Sequence, residues 1–514
     1  MPILGAVIKR TLKVSETFKP TFLTIAQLQE KTLRRLLQEA AHTSFGQYYN
    51  FKEILRSDNL VETYKAKVPI HDYNKIYDEW WHLQLEGHDN VTWPTKVKYY
   101  GVSSGTSGAP SKYLPESDEM LKSMRKAGLK MFFNLAKYNG LKDSIFFKDY
   151  LLIGGSGSLT NHGNYKSGDL SGINANLIPI WLKNKYRPGL KVSKLKDWKQ
   201  RVDYIAKNAP KWDIVVVSGL PSWVQLTLEH VVAYHKLDNI HQMWPNLQIF
   251  VSGGIALEPY KRSMEKLFGK PVIYMDTYLA SEGFIAFQAR PETHSMALVQ
   301  NNGIFYEFIP FDDAHFDEEG MPFPNAKTLT INEVKENKDY ALVMSTCAGA
   351  WRYMIGDTVR FTDVSRAEII ISGRTKHFLS ICGEHLSVDN MNKAIQHVQE
   401  KLSITIPEYT VSAVKSGTHY AHKWYIGCDQ NLDKQELITM IDLHLKEIND
   451  DYAAERNSML QELQMEILPS KLFNKYLLST GKSMGQSKFP RVLKGGQVAA
   501  WEKYLESQMV ATEN

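Results

Sequence analysis

Apolar residues recur at helical spacing from Ile25 to Ala41, with charges between them, which predicts an amphipathic helix packed on a core. Roughly the first 90 residues keep this helical character, until Val68-Pro69-Ile70 interrupts it. Pro115-Glu116-Ser117-Asp118 carries helix-start chemistry, and a second helix is expected from there to about Leu135. Its stripe of Met120, Leu121, Met124, Leu129, Met131, Phe132 and Phe133 reads as core, or in part as the wall of an apolar pocket. The pattern then changes. Leu151-Leu152-Ile153, Asp213 to Val217, Leu247 to Val251 and Pro271 to Met275 are short apolar runs that predict buried strands, with a helix from Glu258 to Leu267 between the last two. Strands alternating with helices indicate an α/β sheet. Residues 161–194, rich in Gly and Asn, are a substrate loop or a connection. From Gly303 to Phe361 apolar and polar residues alternate, as in antiparallel strands such as Ile304–Phe308 and Tyr340–Met344. A helix from Asp389 to Lys401, strands near Tyr409–Val414 and Lys423–Gly427 and a helix from Lys434 to Leu445 form a second α/β segment. The fold class is therefore α/β: a large N-terminal part over 1–371 with mixed sheets and flanking helices, a junction at 372–376, and a smaller C-terminal α/β part over 377–514.

Composition narrows the picture. The 514 residues are 43% hydrophobic and 23% charged, an ordinary soluble balance, and a net charge of +5 gives no basis for nucleic-acid binding. Cys347, Cys382 and Cys428 are widely spaced and form no CxxC, which argues against disulfide scaffolds and zinc clusters. His419 and His422 read as a solvated or satisfied pair. No signal-peptide pattern and no membrane-length apolar run is present, so a cytoplasmic location without membrane association is expected.

The candidate chemistry centres on Tyr99 to Lys112, with three glycines, several hydroxyls and a terminal Lys. Glycines let backbone N–H groups close on an anion, and a lysine adds a point charge. It is a surface turn or a phosphate cradle. It is not a P-loop, and neither is Gly481-Lys482-Ser483, because Tyr476 stands where that pattern needs glycine. Further on, Ser218-Gly219, Ser252-Gly253-Gly254 and the stretch from Asp276 to Gly283 follow three successive strands, where ligands of open α/β sheets bind. The basic tail from Gly481 to Val492 reads as a loop presenting Lys488 and Arg491.

In order, Ser103 to Lys112, Ser252-Gly253-Gly254, Tyr278-x-x-Ser281-Glu282, Tyr353-x-x-Gly356-Asp357, Gly373-Arg374 and Lys488 resemble the adenylate-forming, firefly luciferase-like superfamily. Within it, the Ser-Ser-Gly-Thr-Ser loop, the Tyr-x-x-Ser-Glu element and the Gly-Gln-x-Lys-x-Pro-Arg tail resemble the auxin-responsive Gretchen Hagen (GH-three) family of acyl acid amido synthetases. The resemblance runs from about residue 30 to 500. Ala109 stands where that family often has glycine. Met354 follows Tyr353 where plant members usually have arginine, with Arg352 before it instead, so a microbial-type relative is expected.

The resemblance implies an ATP-dependent ligase that activates a small carboxylic acid as its adenylate and passes the acyl group to an amino acid. Coenzyme A as acceptor, or nucleotide binding without turnover, are the alternatives. It further implies that Ser103, Ser104, Thr106 and Lys112 hold the β- and γ-phosphates, and that Tyr278 lies against adenine. Ser252, Gly253 and Gly254 would contact base and acyl group, with Ser281 beside them in the ATP site. Glu282 would hold Mg²⁺, Asp357 with Arg374 would hold the ribose, and Lys488 would bridge α-phosphate and carboxylate. Lys376 would be the pivot of a mobile C-terminal domain. Each role has a structural alternative, a helix cap for Glu282, a turn for Asp357 and a salt bridge for Arg374, which the ordered set of motifs outweighs.

Overall fold

A computed structural model describes residues 23–510 apart from 104–111, 136–137, 139–140, 142–144, 146, 155–156, 177, 179–182, 196, 255–256, 292, 318–319, 376–377, 380–385, 417–418, 450–451, 454–455, 457–459 and 481–488. Helix α1 (Ile25–Ala40) starts at a capping box in which Thr24 and Gln27 satisfy each other's backbone N–H. It buries Gln29, Thr32, Leu33, Leu36, Leu37 and Ala40, one face at three-to-four spacing. That face meets a distant part of the chain: Gln29 accepts a hydrogen bond from Tyr306 N and donates to Gln300 Oε1. Short helices follow, and Leu60–Lys67 ends where Val68 turns extended ahead of Pro69.

Strands β1 (Tyr99–Ser103) and β2 (Lys112–Glu116) pair antiparallel, with Ser103 opposite Lys112 and Tyr99 opposite Glu116. The sequence reading missed β2, assigning its residues to a loop end and a helix start. Ser117 then caps α2 (Asp118–Asn134), accepting from Met120 N. Met120, Leu121 and Met124 are buried in the core and Met131 and Phe132 pack against it, so most of the α2 stripe is structural.

The central sheet has eleven strands: β3 (Asp149–Ile153), β4 (Tyr186–Arg187), β5 (Ile214–Gly219), β6 (Ile249–Gly253), β7 (Ile273–Ala280), β8 (Gly283–Phe287), β9 (Met296–Leu298), β10 (Ile304–Pro310), β11 (Asp339–Thr346), β12 (Tyr353–Asp363) and β13 (Glu368–Arg374). Their order is β10-β11-β12-β13-β9-β8-β7-β6-β5-β3-β4. From β4 to β7 the pairing is parallel, with α3 (Pro221–His235) and α4 (Glu258–Leu267) as crossovers. From β7 onward it is antiparallel. Strand β7 runs five residues past the expected Met275, because its second half pairs with β8 through the turn at Ser281-Glu282.

A buried ion pair braces this half. Arg352, with φ +43, donates to Glu307, to Thr328 Oγ1 and to the carbonyls of Lys65 and Val68, tying the N-terminal helices to the sheet.

The C-terminal segment holds α5 (Val388–Leu402), β14 (Glu408–Ser416), β15 (His419–Gly427), α6 (Lys434–Ile448), β16 (Leu460–Leu468), β17 (Val492–Leu493) and α7 (Gly496–Val510). Its sheet, β16-β15-β14-β17, has its own core of Ile395, Val398, Val411, Trp424 and Ile441, and a second around Tyr425, Phe473, Phe489 and Trp501. Ser372, Gly373 and Arg374, expected at the junction, are instead the end of β13, and Lys376 lies outside the described residues. His422 is fully buried and stacks on Tyr452. Cys347 and Cys428 are free and buried, and among the described residues no helix is long and apolar enough to cross a membrane.

Candidate active site

The site lies where the parallel strands end and the antiparallel half begins. Gly219 pairs with Ser252 and Gly253 with Thr277, so three strand ends finish side by side, and Thr277 Oγ1 donates to Ser252 O at 2.8 Å. Gly253 leaves no room for a side chain: a Cβ there would sit 2.5 Å from Thr277 Oγ1 and 3.2 Å from Thr277 O. Gly253→Ala is expected to lower stability by about 1–3 kcal/mol through overpacking, read as a lower urea midpoint. Gly254 follows with φ +81, a conformation suited to glycine. Ser252 Oγ is buried and has no hydrogen-bond partner among the described residues.

The β1–β2 hairpin packs against the Ser281-Glu282 turn, since a Cβ on Gly101 would lie 3.8 Å from Ser281 Cβ and 3.2 Å from Glu116 Oε1. This contact brings strands β1 and β2 to the turn that carries Glu282. Lys112 Nζ lies 5.2 Å from the Tyr73 ring centre, a cation–π contact that steers its ammonium.

Asp357 and Arg374 are cross-strand partners on β12 and β13, and Arg374 Nε donates to Asp357 Oδ1 at 2.7 Å. The other carboxylate oxygen accepts from Tyr278 Oη at 2.5 Å. Tyr278 is 4% exposed, so burial and the Asp357 charge push its hydroxyl pKa far up and keep it a donor. Glu282 is pushed up to about 7, first by burial and then by Asp357, with Lys112 and Arg374 pulling the other way. The structure thus brings Ser252, Gly253 and Gly254 to strand ends beside β7, and Lys112, Tyr278, Ser281, Glu282, Asp357 and Arg374 to one neighbourhood at the far end of β7.

Other expected site residues stand apart. Ser104, Thr106 and Lys488 lie outside the described residues, and Ser103 is placed by its backbone alone. Arg491 does not face outward as expected: Nη1 donates to Glu408 Oε2 at 2.8 Å and to Tyr409 O at 2.9 Å. The sequence reading missed Glu116. It is 1% exposed, neither of its oxygens has a partner among the described residues, and burial, with Glu282 nearby, raises its carboxyl pKa well above the usual range. Strand β2 buries Leu114, Pro115 and Glu116 in succession, so it offers no alternation to read, and the helix-start pattern that overlaps it points elsewhere.

Three family models match in the order N-terminal, central and C-terminal domain of the GH3 family, over residues 16–147, 297–369 and 389–497, together more than half of the chain. The chain belongs to the GH3 family. The stretch with Ser252, Tyr278 and Glu282 falls between the first two matches. A probable indole-3-acetic acid-amido synthetase of Arabidopsis thaliana is 26% identical over 284 residues, 50% of this chain and 45% of the relative. The chain spans about half the length of the curated relatives it matches. Among solved structures, a GH3.15 acyl acid amido synthetase superposes with TM-score 0.77 at 16% identity, covering 97% of this chain and 96% of that one. A 2-hydroxyisobutyryl-CoA ligase does so with TM-score 0.57 at 13% identity, covering 94% and 92%. These likenesses establish the fold, which the chain shares with both structures.

Proposed function

We propose that this GH3 protein is a cytoplasmic, ATP-dependent acyl acid amido synthetase acting on a small carboxylic acid and an amino acid. The observation that carries the reading is the Tyr278–Asp357–Arg374 network facing Glu282 and Lys112 at the strand ends. It gathers charges of both signs where a nucleotide triphosphate needs them. In the first half-reaction a substrate carboxylate oxygen bonds to the α-phosphorus of ATP, the bond to the β-bridging oxygen breaks, and pyrophosphate leaves. In the second, the amine nitrogen bonds to the acyl carbon, AMP leaves, and the nitrogen gives up a proton. Both steps depend on positioning and charge neutralisation.

Lys112 serves the β- and γ-phosphates together with backbone of the glycine-rich loop. The ribose hydroxyls donate to Asp357, which Arg374 and Tyr278 hold in place, so Tyr278 touches the nucleotide through its ring and the carboxylate through its hydroxyl. Gly253 and Gly254 leave room for the base and acyl group. Glu282 fits Mg²⁺: a carboxylate pushed up to about 7 by burial and by Asp357 is one that a hard cation would neutralise. Bound there, the ion would offset charge building on the phosphates. Lys488, in the tail, serves the α-phosphate and the substrate carboxylate, and the C-terminal domain (377–514) turns between half-reactions about Lys376. Met354 stands where the resemblance expects arginine in most plant members, so we read the chain as a microbial-type relative and do not carry plant-hormone acids over to it. The two described cysteines are buried free thiols, in keeping with a reducing compartment.

The test supplies ATP, a panel of acids, and either amino acids or coenzyme A, and identifies products by mass. Amides with AMP support the proposal, thioesters turn it into an acyl-CoA ligase, and ATP binding without product with either acceptor sinks it. Lys488→Ala is expected to suppress pyrophosphate exchange by about a hundredfold or more. Undiminished exchange would remove Lys488 from its role.

A further inference from the structure

Helix α4 begins four residues after Gly254, and its polar side chains reach across to the C-terminal domain. Arg262 Nη1 donates to Gln399 O at 2.9 Å and to Ile404 O at 3.1 Å. These carbonyls belong to the last turn of α5 and the residue just past its left-handed cap, Ser403 at φ +56. Gln399 O already accepts from Ser403 N and Ile404 N, so the guanidinium adds a charged donor there, also takes Ile404 O, and meets the negative end of the helix dipole. The large body therefore supplies a C-cap to a helix of the small domain. Two residues earlier on α4, Tyr260 Oη donates to Glu408 Oε1 at 3.3 Å. Glu408 Oε2 accepts from Arg491, whose guanidinium also lies 4.4 Å from the Tyr409 ring centre. One carboxylate thus joins α4 of the large body to the strand β17 region, three residues in sequence after Lys488.

The lever arm gives these contacts their meaning. The chain enters α5 from the large body at its N-terminal end, where Asp389 lies 3.7 Å from Arg360 of β12. Fifteen helical residues rising about 1.5 Å each put the end that Arg262 grips roughly 20 Å from that entry. A rotation about the entry leaves the Arg360 contact nearly in place and sweeps the far end away from Arg262 and Tyr260.

We infer that Tyr260 and Arg262 form a latch that holds the C-terminal domain in the adenylating orientation by gripping Glu408 and the end of α5. They are positioning residues and touch no substrate. The orientation is assigned on two grounds: α4 issues directly from the Gly253-Gly254 turn of the nucleotide site, and the far side of the latch is anchored by Arg491 of the Lys488 tail. The effect on half-reactions rests on the function proposed above; the latch itself does not.

The experiment compares wild type with Tyr260→Phe/Arg262→Met in two assays, acid-dependent pyrophosphate exchange and single-turnover amide formation from chemically made acyl-adenylate. Exchange is expected to fall about tenfold, the weight of one or two hydrogen bonds, while transfer from preformed adenylate is unchanged or faster. Equal loss in both assays, or no loss in either, overturns the latch. A second readout needs no turnover: spin labels at the exposed positions Tyr234→Cys and Leu443→Cys, with Cys382→Ser, report the inter-domain distance. The variant should broaden a distribution that is narrow in wild type, and an identical distribution overturns the proposal. If wild type exchanges pyrophosphate with no acid, the functional reading fails and the distances alone decide the latch.

Discussion

Glu282→Gln is expected to cut pyrophosphate exchange by about a hundred- to a thousandfold, and at pH 8 to melt higher than wild type without nucleotide. The first effect follows from removing the one full negative charge at the turn that faces Lys112 and the proposed phosphates. The second follows from proton linkage. In the folded protein the Glu282 carboxyl is pushed up to about 7, above its ordinary 4.5, by burial and by Asp357. Between those two pH values the folded state binds more protons than the unfolded one, so stability falls as pH rises through the window. Above 7 the penalty is fully present; below about 4.5 it is gone. Glutamine carries no such penalty. The gain at pH 8 is at most about 3 kcal/mol, and less in practice because Glu282 is only half-buried and solvent screens its charge. Thermal melts at pH 8 and pH 5 check it: the gap between variant and wild type should narrow at the lower pH, and a constant gap would show that the shift is not the cause.

Glu307→Ala is expected to destabilise the protein by about 3–5 kcal/mol, the largest loss of stability foreseen for a single substitution here. Glu307 is fully buried and Arg352 nearly so, and the pair sits at the joint between the N-terminal helices and the sheet. Removing the carboxylate leaves a guanidinium that cannot lose its proton inside the protein, still held by the carbonyls of Lys65 and Val68. Arg352→Met in the same chain should restore part of the loss, because no charge is then stranded. Urea unfolding of the single and double variants measures both. A single variant that loses under 1 kcal/mol would mean that Thr328 and the backbone carbonyls carry the arginine unaided.

Much of this architecture was legible because local pattern and tertiary environment agree. The helix from Glu258 to Leu267 was placed to the residue, since proline stands in its first turn and Tyr260, Met264 and Leu267 recur at helical spacing. The parallel strands β3, β5, β6 and the first half of β7 were legible as continuous apolar runs, whereas β4 (Tyr186–Arg187) carries no such run and fell within the stretch 161–194 read as a loop or connection. Strand β2 was not, because Pro115 to Asp118 carries a real helix cap that overlaps the strand's last residues. The far half of β7 was missed for a related reason: beyond Asp276 and Thr277, which still pair with β6, Tyr278 to Ala280 is a strand only through its pairing with β8. At the site, residue types and their order were enough to nominate Glu282, Asp357 and Arg374. That Tyr278 bonds to Asp357, that Glu116 at the end of β2 is buried near Glu282, and that Arg491 faces inward all depend on contacts between segments far apart in sequence, which no local pattern encodes.

The packing of α1 on β10 has a bearing on how the chain is made. Gln29 waits for the amide of Tyr306, and the Tyr64 hydroxyl, 2.7 Å from Ser345 Oγ, waits for a residue 281 positions later. At roughly 5–20 residues per second on a ribosome, the N-terminal helices emerge and then spend on the order of 15–60 s with an apolar face uncovered. Chaperone demand during synthesis should therefore fall on this first segment, and fusing a fast-folding domain in front of it would not shorten the wait.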